Sequence, residues 1–169
     1  AGTVPAPAVA LTFDDGFEDN YLQMFPLLQR YQAKATVYLS PEIAGIKRLS
    51  TEQIRTMHAS GLVEFGAHTM THLNLAKADP ATAEQEIKTS QAHVSALLGA
   101  PCVAFAYPYG RFDEAAVALV KQYGFTSAVT VKKGIEALAD HFRIKRVSVL
   151  GKTNMLQFHI AITRGRYRV

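Results

Sequence analysis

Short apolar runs alternate with longer segments of helical periodicity along this chain of 169 residues. The apolar runs predict six β-strands, at residues 9–13, 36–39, 62–67, 102–106, 125–129 and 144–149. Such alternation is typical of an α/β protein, in which helices connect parallel strands and cover the sheet. In these folds the reactive side chains collect at the carboxyl ends of the strands. Candidate catalytic and metal-binding residues are therefore expected at the carboxyl ends of these six strands.

Capping residues mark the predicted helices between the strands. Ser50 and Gln53 form a capping box ahead of an apolar helical face. Asp79 caps a helix that has Pro80 in its first turn and ends before Gly99. Three further helices are predicted to begin at Pro26, after a cap at Asp113 and at about Thr153, the last of them ending at Gly165.

Two adjacent carboxylates, Asp14 and Asp15, follow the first predicted strand. In a regular strand they would face opposite sides. Gly16 can turn the chain and bring both towards one pocket. A helix cap or an acidic turn is the alternative, and this short segment alone leaves the two interpretations open.

A pair of histidines, His68 and His72, follows the third predicted strand. Histidines four residues apart can lie on one face of a helical turn, within reach of one ion, although a single histidine is more often a packed or surface residue. One carboxylate with two imidazoles leaves open coordination positions on zinc, as catalytic sites require. The remaining carboxylate is then available as a general base.

A turn with the sequence Tyr107-Pro108-Tyr109-Gly110 follows the fourth predicted strand. A simple proline–glycine turn is one interpretation. The other is that the turn directs a backbone N–H towards an oxyanion that develops during a reaction.

Three segments together resemble the motifs of the polysaccharide deacetylases, the NodB-homology carbohydrate esterases. They are residues 12–16, residues 68–72 and Pro108–Gly110, in that order, and the similar layout of strands and helices extends over nearly the whole chain. The resemblance implies an α/β fold, an irregular (β/α) barrel of about seven parallel strands, as a single domain over residues 1–169.

The resemblance also implies roles for these residues. Asp14 would be the general base, and Asp15, His68 and His72 would bind a divalent metal, expected to be Zn²⁺ with Co²⁺ or Ni²⁺ as alternatives. The backbone N–H of Tyr109 would help the metal to stabilise the tetrahedral intermediate. Water would attack an acetamide carbonyl that the ion polarises, which releases acetate and leaves an amine on the sugar.

One departure from the family pattern concerns an arginine that contacts the general base. The family usually has it two residues before the motif proline, where this chain has Ala106. Arg146, in the last predicted strand, is our candidate replacement, and a surface charge on an edge strand is the alternative. Arg111 and Arg143 are weaker candidates.

A second departure concerns the general acid, for which the family commonly uses a histidine after its last strand. The end of the last predicted strand of this chain, at residues 147–150, contains no histidine. We expect His159 to be a core residue of the following helix rather than the acid. The leaving amine would then be protonated by Asp14 or by a residue that the sequence does not identify.

Composition and charge narrow the range of partners. Hydrophobic residues make up 49% and charged residues 19% of the chain, which is ordinary for a globular protein. No run approaches the roughly 20 apolar residues of a membrane span, and no signal peptide is predicted in this chain. The net charge of +4 includes the basic tail at residues 164–168, which we interpret as a solvated end. No nucleic-acid motif is present.

The single cysteine, Cys102, excludes an internal disulfide and is predicted to be a buried structural thiol.

These observations favour a metal-dependent hydrolase that removes N-acetyl, or alternatively O-acetyl, groups from an acetylated glycan or polysaccharide. By the same resemblance, a location outside the cytoplasm is expected. Two alternatives stay open. One is a metal-dependent amidase acting on a small amide or a cyclic imide. The other is a catalytically inactive glycan-binding module, which the missing arginine and histidine would explain.

Overall fold

The computed structural model describes residues 8–135 and 140–165. Six strands form one parallel sheet, and each strand pairs with the one before it in the chain. They are β1 Leu11–Phe13, β2 Ala35–Leu39, β3 Val63–Ala67, β4 Ala104–Ala106, β5 Ser127–Lys133 and β6 Ile144–Arg146. The α/β class with parallel strands is confirmed. The described residues contain six strands where the resemblance implied about seven.

Five α-helices accompany the sheet. They are α1 Phe25–Tyr31, α2 Thr51–Ala59, α3 Pro80–Leu98, α4 Glu114–Gln122 and α5 Met155–Arg164. A π-helical turn, Asn20–Met24, precedes α1, so the chain is already helical before Pro26. Among the described helices, none combines the length and the apolar character that a membrane span requires.

The predicted helix caps are confirmed at atomic detail. The Ser50 hydroxyl accepts a hydrogen bond from the Gln53 N–H, and the Gln53 side chain accepts one from the Ser50 N–H, which completes the capping box. Asp79 accepts from the N–H of Thr82 at the start of α3, and Asp113 caps α4 in the same way. These side chains satisfy backbone donors that the first turn of a helix leaves unpaired.

The core lies between the sheet and the helices that cover it. Its fully buried side chains come from the strands and from α2, α3 and α4, and include Val37, Ala67, Phe105, Met57, Ile87, Val94 and Val120. Cys102 belongs to this core, as predicted, and burial raises the pKa of its thiol to about 11.

Strand boundaries differ from the predicted ones by a few residues: β4 and β5 each begin two residues later than predicted, and both edge strands are shorter than predicted. β1 begins at Leu11 rather than residue 9, because its neighbour β2 begins at Ala35, the partner of Leu11. At the other edge, β6 ends at Arg146 rather than residue 149. Its neighbour β5 continues beyond the predicted end to Lys133, which pairs with Arg146 after an irregularity in the register. An edge strand extends only as far as its single neighbour can pair with it.

The last helix, α5, packs differently from the prediction. Ala161 is its buried residue, while His159 and Met155 are exposed. The expectation that His159 is a core residue is therefore wrong, because the buried residue of this helix, Ala161, lies on a different helical face. Part of the basic tail, Arg166 and Arg168, lies outside the described residues.

Candidate active site

The candidate residues collect at the carboxyl edge of the sheet. Asp14 and Asp15 follow β1, His68 follows β3, the turn Pro108–Gly110 follows β4, and Arg146 ends β6. All strands of a parallel sheet end at the same edge. Residues as far apart in the chain as Asp14 and Arg146 therefore meet there.

Asp15, His68 and His72 form a compact cluster. The Asp15 Oδ1 atom lies 3.5 Å from Nε2 of His68 and 3.4 Å from Nε2 of His72. Both separations exceed the roughly 2.9 Å of a good N–H···O hydrogen bond, and Oδ1 is buried without a hydrogen-bond partner. One ligand atom from each residue lies within 4.8 Å of the others. The three donor atoms therefore suit a shared divalent cation.

The second ring nitrogen of His68 indicates which form of the imidazole is present. Nδ1 lies 2.7 Å from the carbonyl oxygen of Ala106, which can only accept, so we assign the hydrogen to Nδ1. Burial lowers the pKa of His68 and favours the neutral ring. A neutral imidazole anchored through one nitrogen presents the other as a metal ligand. Two such nitrogens and a carboxylate suit Zn²⁺, and also Co²⁺ or Ni²⁺.

Arg146 holds Asp14 through a two-point ion pair. Nη1 donates to Oδ1 at 2.8 Å, and Nη2 donates to Oδ2 at 2.7 Å. Burial acts to raise the pKa of Asp14, but the hydrogen bonds and charge of Arg146 hold that pKa below its ordinary value, helped by the two histidines. Asp14 is thus ionised at neutral pH.

The guanidinium of Arg146 is itself fixed from several sides. Nε donates to the carbonyl oxygen of Thr130 at 2.8 Å, and Nη1 also donates to the hydroxyl of Thr12 at 3.2 Å. The ring of Tyr38 lies beside it, with its centroid 6.0 Å from Cζ. The side chain is 15% exposed, so it is not the solvated surface charge of the alternative interpretation. It connects β6 with β1, the last and first strands of the described sheet.

The position that carries arginine in the family pattern is occupied by a buried alanine. Ala106 has no exposed surface, and its carbonyl is the acceptor for the His68 ring. The two weaker candidates lie elsewhere. Arg143 pairs with Asp140, and Arg111 is exposed beyond the turn.

The turn after β4 has a conformation that only a few residues adopt readily. Tyr109 has φ of 58° and Gly110 has φ of 62°. A Cβ atom on Gly110 would lie 2.2 Å from a methyl group of Val131, so glycine is required there. The Tyr109 ring meets the His72 ring edge-on at 4.4 Å, and its N–H has no acceptor among the described residues. This N–H is thus available to a ligand.

Left-handed backbone conformations concentrate in the candidate site. Of five such non-glycine residues in the described chain, four belong to it, and Gln32 at the end of α1 is the exception. The four are Asp15, Thr69, His72 and Tyr109. Each costs about 1–3 kcal/mol and persists where its surroundings enforce it, often at functional sites.

Glu86 on α3 supplies a contact that our sequence reasoning missed. Its Oε2 accepts from the N–H groups of Met70 and Thr71 at 2.8 and 3.0 Å, and its Oε1 accepts from the Thr71 hydroxyl at 2.9 Å. These bonds anchor the loop between His68 and His72. The residues around Glu86 in the helix do not indicate this contact, because its carboxylate accepts hydrogen bonds from a loop that precedes the helix in the chain.

The sequence and the fold were then compared with those of known proteins. Residues 1–128 match the family model for polysaccharide deacetylase. The chain belongs to this family. Arg146 lies beyond the matched residues, so its place beside Asp14 rests on the tertiary structure and not on the family match.

Individual relatives agree with this assignment. The chain is 30% identical over 166 residues to poly-β-1,6-N-acetyl-D-glucosamine N-deacetylase of Staphylococcus epidermidis, an alignment that covers 88% of this chain and 56% of the relative. The chain superposes on a Streptococcus pyogenes deacetylase in complex with acetate, with a TM-score of 0.85 and 25% sequence identity. The superposition covers 98% of this chain and 74% of that protein. A Bacillus cereus polysaccharide deacetylase gives a TM-score of 0.78 and 31% identity, with 89% and 50% coverage.

The extent of these alignments is itself informative. The chain spans about half the length of the curated relatives it matches, 45% in one case and 56% in another. The match to the family model, residues 1–128, includes strands β1 to β4 and the three motif segments.

Proposed function

We propose that this chain is a metal-dependent hydrolase that removes N-acetyl groups from a glycan. O-acetyl groups are the closely related alternative. One observation carries the proposal: an ionised Asp14 lies beside the three-residue cluster of Asp15, His68 and His72, at the carboxyl edge of a deacetylase fold. A base next to a cation site is what hydrolysis of an amide by water requires.

Each residue has a distinct part in this reaction. Asp15, His68 and His72 would hold the divalent ion. When bound, that ion would supply Lewis-acid chemistry, which polarises the acetamide carbonyl and makes water easier to deprotonate. Asp14 accepts the proton from the attacking water. Arg146 keeps the Asp14 carboxylate ionised and correctly oriented.

The turn after β4 is proposed to stabilise the negative charge on the reacting carbonyl oxygen. The N–H of Tyr109 has no acceptor among the described residues, and it lies on a turn whose conformation Gly110 maintains. Preorganised donors of this kind favour the transition state because they need no rearrangement when the charge develops.

Protonation of the leaving amine is assigned to Asp14 as well. His159 is exposed on α5 and is not among the residues brought to the cluster. In our proposal Asp14 therefore transfers to the amine nitrogen the proton that it took from water, as the C–N bond breaks. Acetate and a glucosamine-type amine are the products.

The relatives support the substrate class that we propose. The Staphylococcus epidermidis relative is a deacetylase of poly-β-1,6-N-acetyl-D-glucosamine, and the Streptococcus pyogenes deacetylase was solved with acetate. We infer that this chain acts on a polymer of N-acetylated amino sugars, which implies a place of action outside the cytoplasm.

Acetate release tests the proposal directly. The chain would be incubated with oligomers of β-1,6- and β-1,4-linked N-acetylglucosamine, then treated with chelator and resupplied with Zn²⁺, Co²⁺ or Ni²⁺. Release that chelation abolishes and metal restores is the expected result. Release from a small amide or cyclic imide alone would favour the amidase. Oligosaccharide binding with no release, by protein shown to hold metal, would favour the inactive module.

A further inference from the structure

A groove of about 490 Å³ lies next to the candidate site and has no part in the reaction described above. Its lining includes Asn74 and Lys77 from the segment after β3, Gly110 and Arg111 from the segment after β4, and Lys132 of β5. The groove lies at the carboxyl edge of the sheet, because the segments that line it follow β3, β4 and β5 or end them.

The walls of the groove continue directly from the site. Asn74 stands two residues after His72, and Gly110 follows Tyr109. A polymer whose reacting sugar lies at the cluster can therefore place a neighbouring sugar in the groove.

The side chains that line the groove carry a net positive charge. Lys77, Arg111 and Lys132 are exposed, and none of the three has an ion-pair partner within residues 8–135 and 140–165. Arg143 and Glu114 also line the groove, but they pair with each other, and Asp140 pairs with Arg143 as well. Three cations without carboxylate partners raise the local potential for anions.

We propose that this groove binds an anionic group, a carboxylate or a phosphate, on the sugar next to the one that is deacetylated. The inference rests on the proposed function, since it assigns the neighbouring sugar of that substrate. Arg111 can bind either anion through two parallel hydrogen bonds, and the lysines act as point charges. The same charges disfavour a glucosamine neighbour, which is cationic at neutral pH.

Binding and turnover would be measured separately with three oligosaccharides of equal length. One contains N-acetylglucosamine only, one alternates it with glucuronate, and one carries phosphate substituents. The double variant Arg111→Gln, Lys132→Gln is compared with Lys34→Gln, Lys88→Gln. The control pair removes the same charge from exposed positions that do not line the groove.

The intact chain should bind an anionic oligosaccharide about three- to tenfold more tightly than the neutral one, as expected for two or three exposed charge pairs. The groove variant should lose this preference and the control should keep it, and high salt should remove it from both. Preference for glucuronate or for phosphate identifies which anion is recognised.

Equal affinity for neutral and anionic oligosaccharides, or an equal loss in the control variant, would overturn the proposal. The outcome for the groove is separate from the outcome for the enzyme. Acetate release without an anionic preference removes the groove assignment alone. An anionic preference without acetate release keeps the groove and removes the proposed function.

Discussion

The candidate site has two halves that are assembled in different ways. The metal half takes Asp15 from the end of β1 and both histidines from one loop after β3. The base half joins Asp14 to Arg146 across 132 residues, between the first and last strands of the described sheet. The first half is a local motif placed at a strand end. The second exists only because the sheet curls enough to bring its two edges together.

This difference between the halves indicates which of them can be built from residues at other positions in the fold. A metal ligand must present one atom at one point, so its residue and position are tightly constrained. A partner for Asp14 has only to bring a guanidinium to the carboxylate, and any strand end near it can do so. Here β6 supplies this group, and the position on β4 is a buried alanine.

The largest effect should come from breaking the metal half. His68→Ala removes one of three donors, so we expect the variant to lose metal and to show only the activity of the chelated parent. Metal content by elemental analysis and acetate release by enzymatic assay measure the two losses. Full metal content with lost activity would mean that His68 is not a ligand.

A substitution in the base half should separate metal binding from turnover. Asp14→Asn keeps the size of the side chain and removes the proton acceptor, so metal should stay bound while kcat falls about 10²–10⁴-fold. Metal content and kcat are measured on the same preparation. An Asn variant as active as the parent would show that Asp14 is not the base.

Arg146→Gln tests the link between the two sheet edges through the pH dependence. Arg146 lowers the pKa of Asp14 and burial raises it, so removing the guanidinium should raise that pKa. The base must be ionised, and the acid limb of the pH–rate profile should therefore move to higher pH, with a smaller loss at alkaline pH.

Arg143→Gln is the matched control for this experiment. Arg143 is an arginine of the same region, paired with Asp140 and Glu114 rather than with Asp14. Its profile should follow that of the parent. An unmoved acid limb in Arg146→Gln would remove Arg146 from the role of positioning residue.

The smallest effect is expected from substitution of Glu86, which anchors the loop of the metal half but is not one of the proposed metal ligands. Glu86→Ala leaves the N–H groups of Met70 and Thr71 without their acceptor. Loss of such a supporting contact typically weakens metal binding about 10–100-fold, with activity recovered at saturating metal. Glu86→Gln should restore part of the affinity, because its amide oxygen still accepts.

Glu84→Ala, on the same helix, is the control for Glu86. Glu84 accepts from the Tyr123 hydroxyl and does not contact the histidine loop. It should lower stability without changing the metal dissociation constant, measured by competition with a chelating dye. An equal weakening in both variants would assign the effect to helix α3 rather than to the loop anchor.

Much of the fold could be read from local patterns. Capping residues such as Ser50 and Asp79 act on the turn that follows them, so their effect is contained in a few adjacent positions. Strand ends were less accurate, because the length of β1 or β6 depends on a neighbour that the local pattern does not reveal. The exposure of His159 could not be predicted either, since the apolar pattern of a helix does not show which of its faces the rest of the chain covers.

The sequence by itself pointed to the three proposed metal donors and to their place at the carboxyl edge of the sheet. Asp15, His68 and His72 lie within a few residues of apolar strands, and parallel strands deliver such residues to one edge. The tertiary structure decided the rest. The sequence offered Arg146 as one of three candidate partners for Asp14, and only the contact between the two edges of the sheet selects it. The anchoring of the histidine loop by Glu86 is likewise a contact between distant segments, for which the adjacent residues carry no signal.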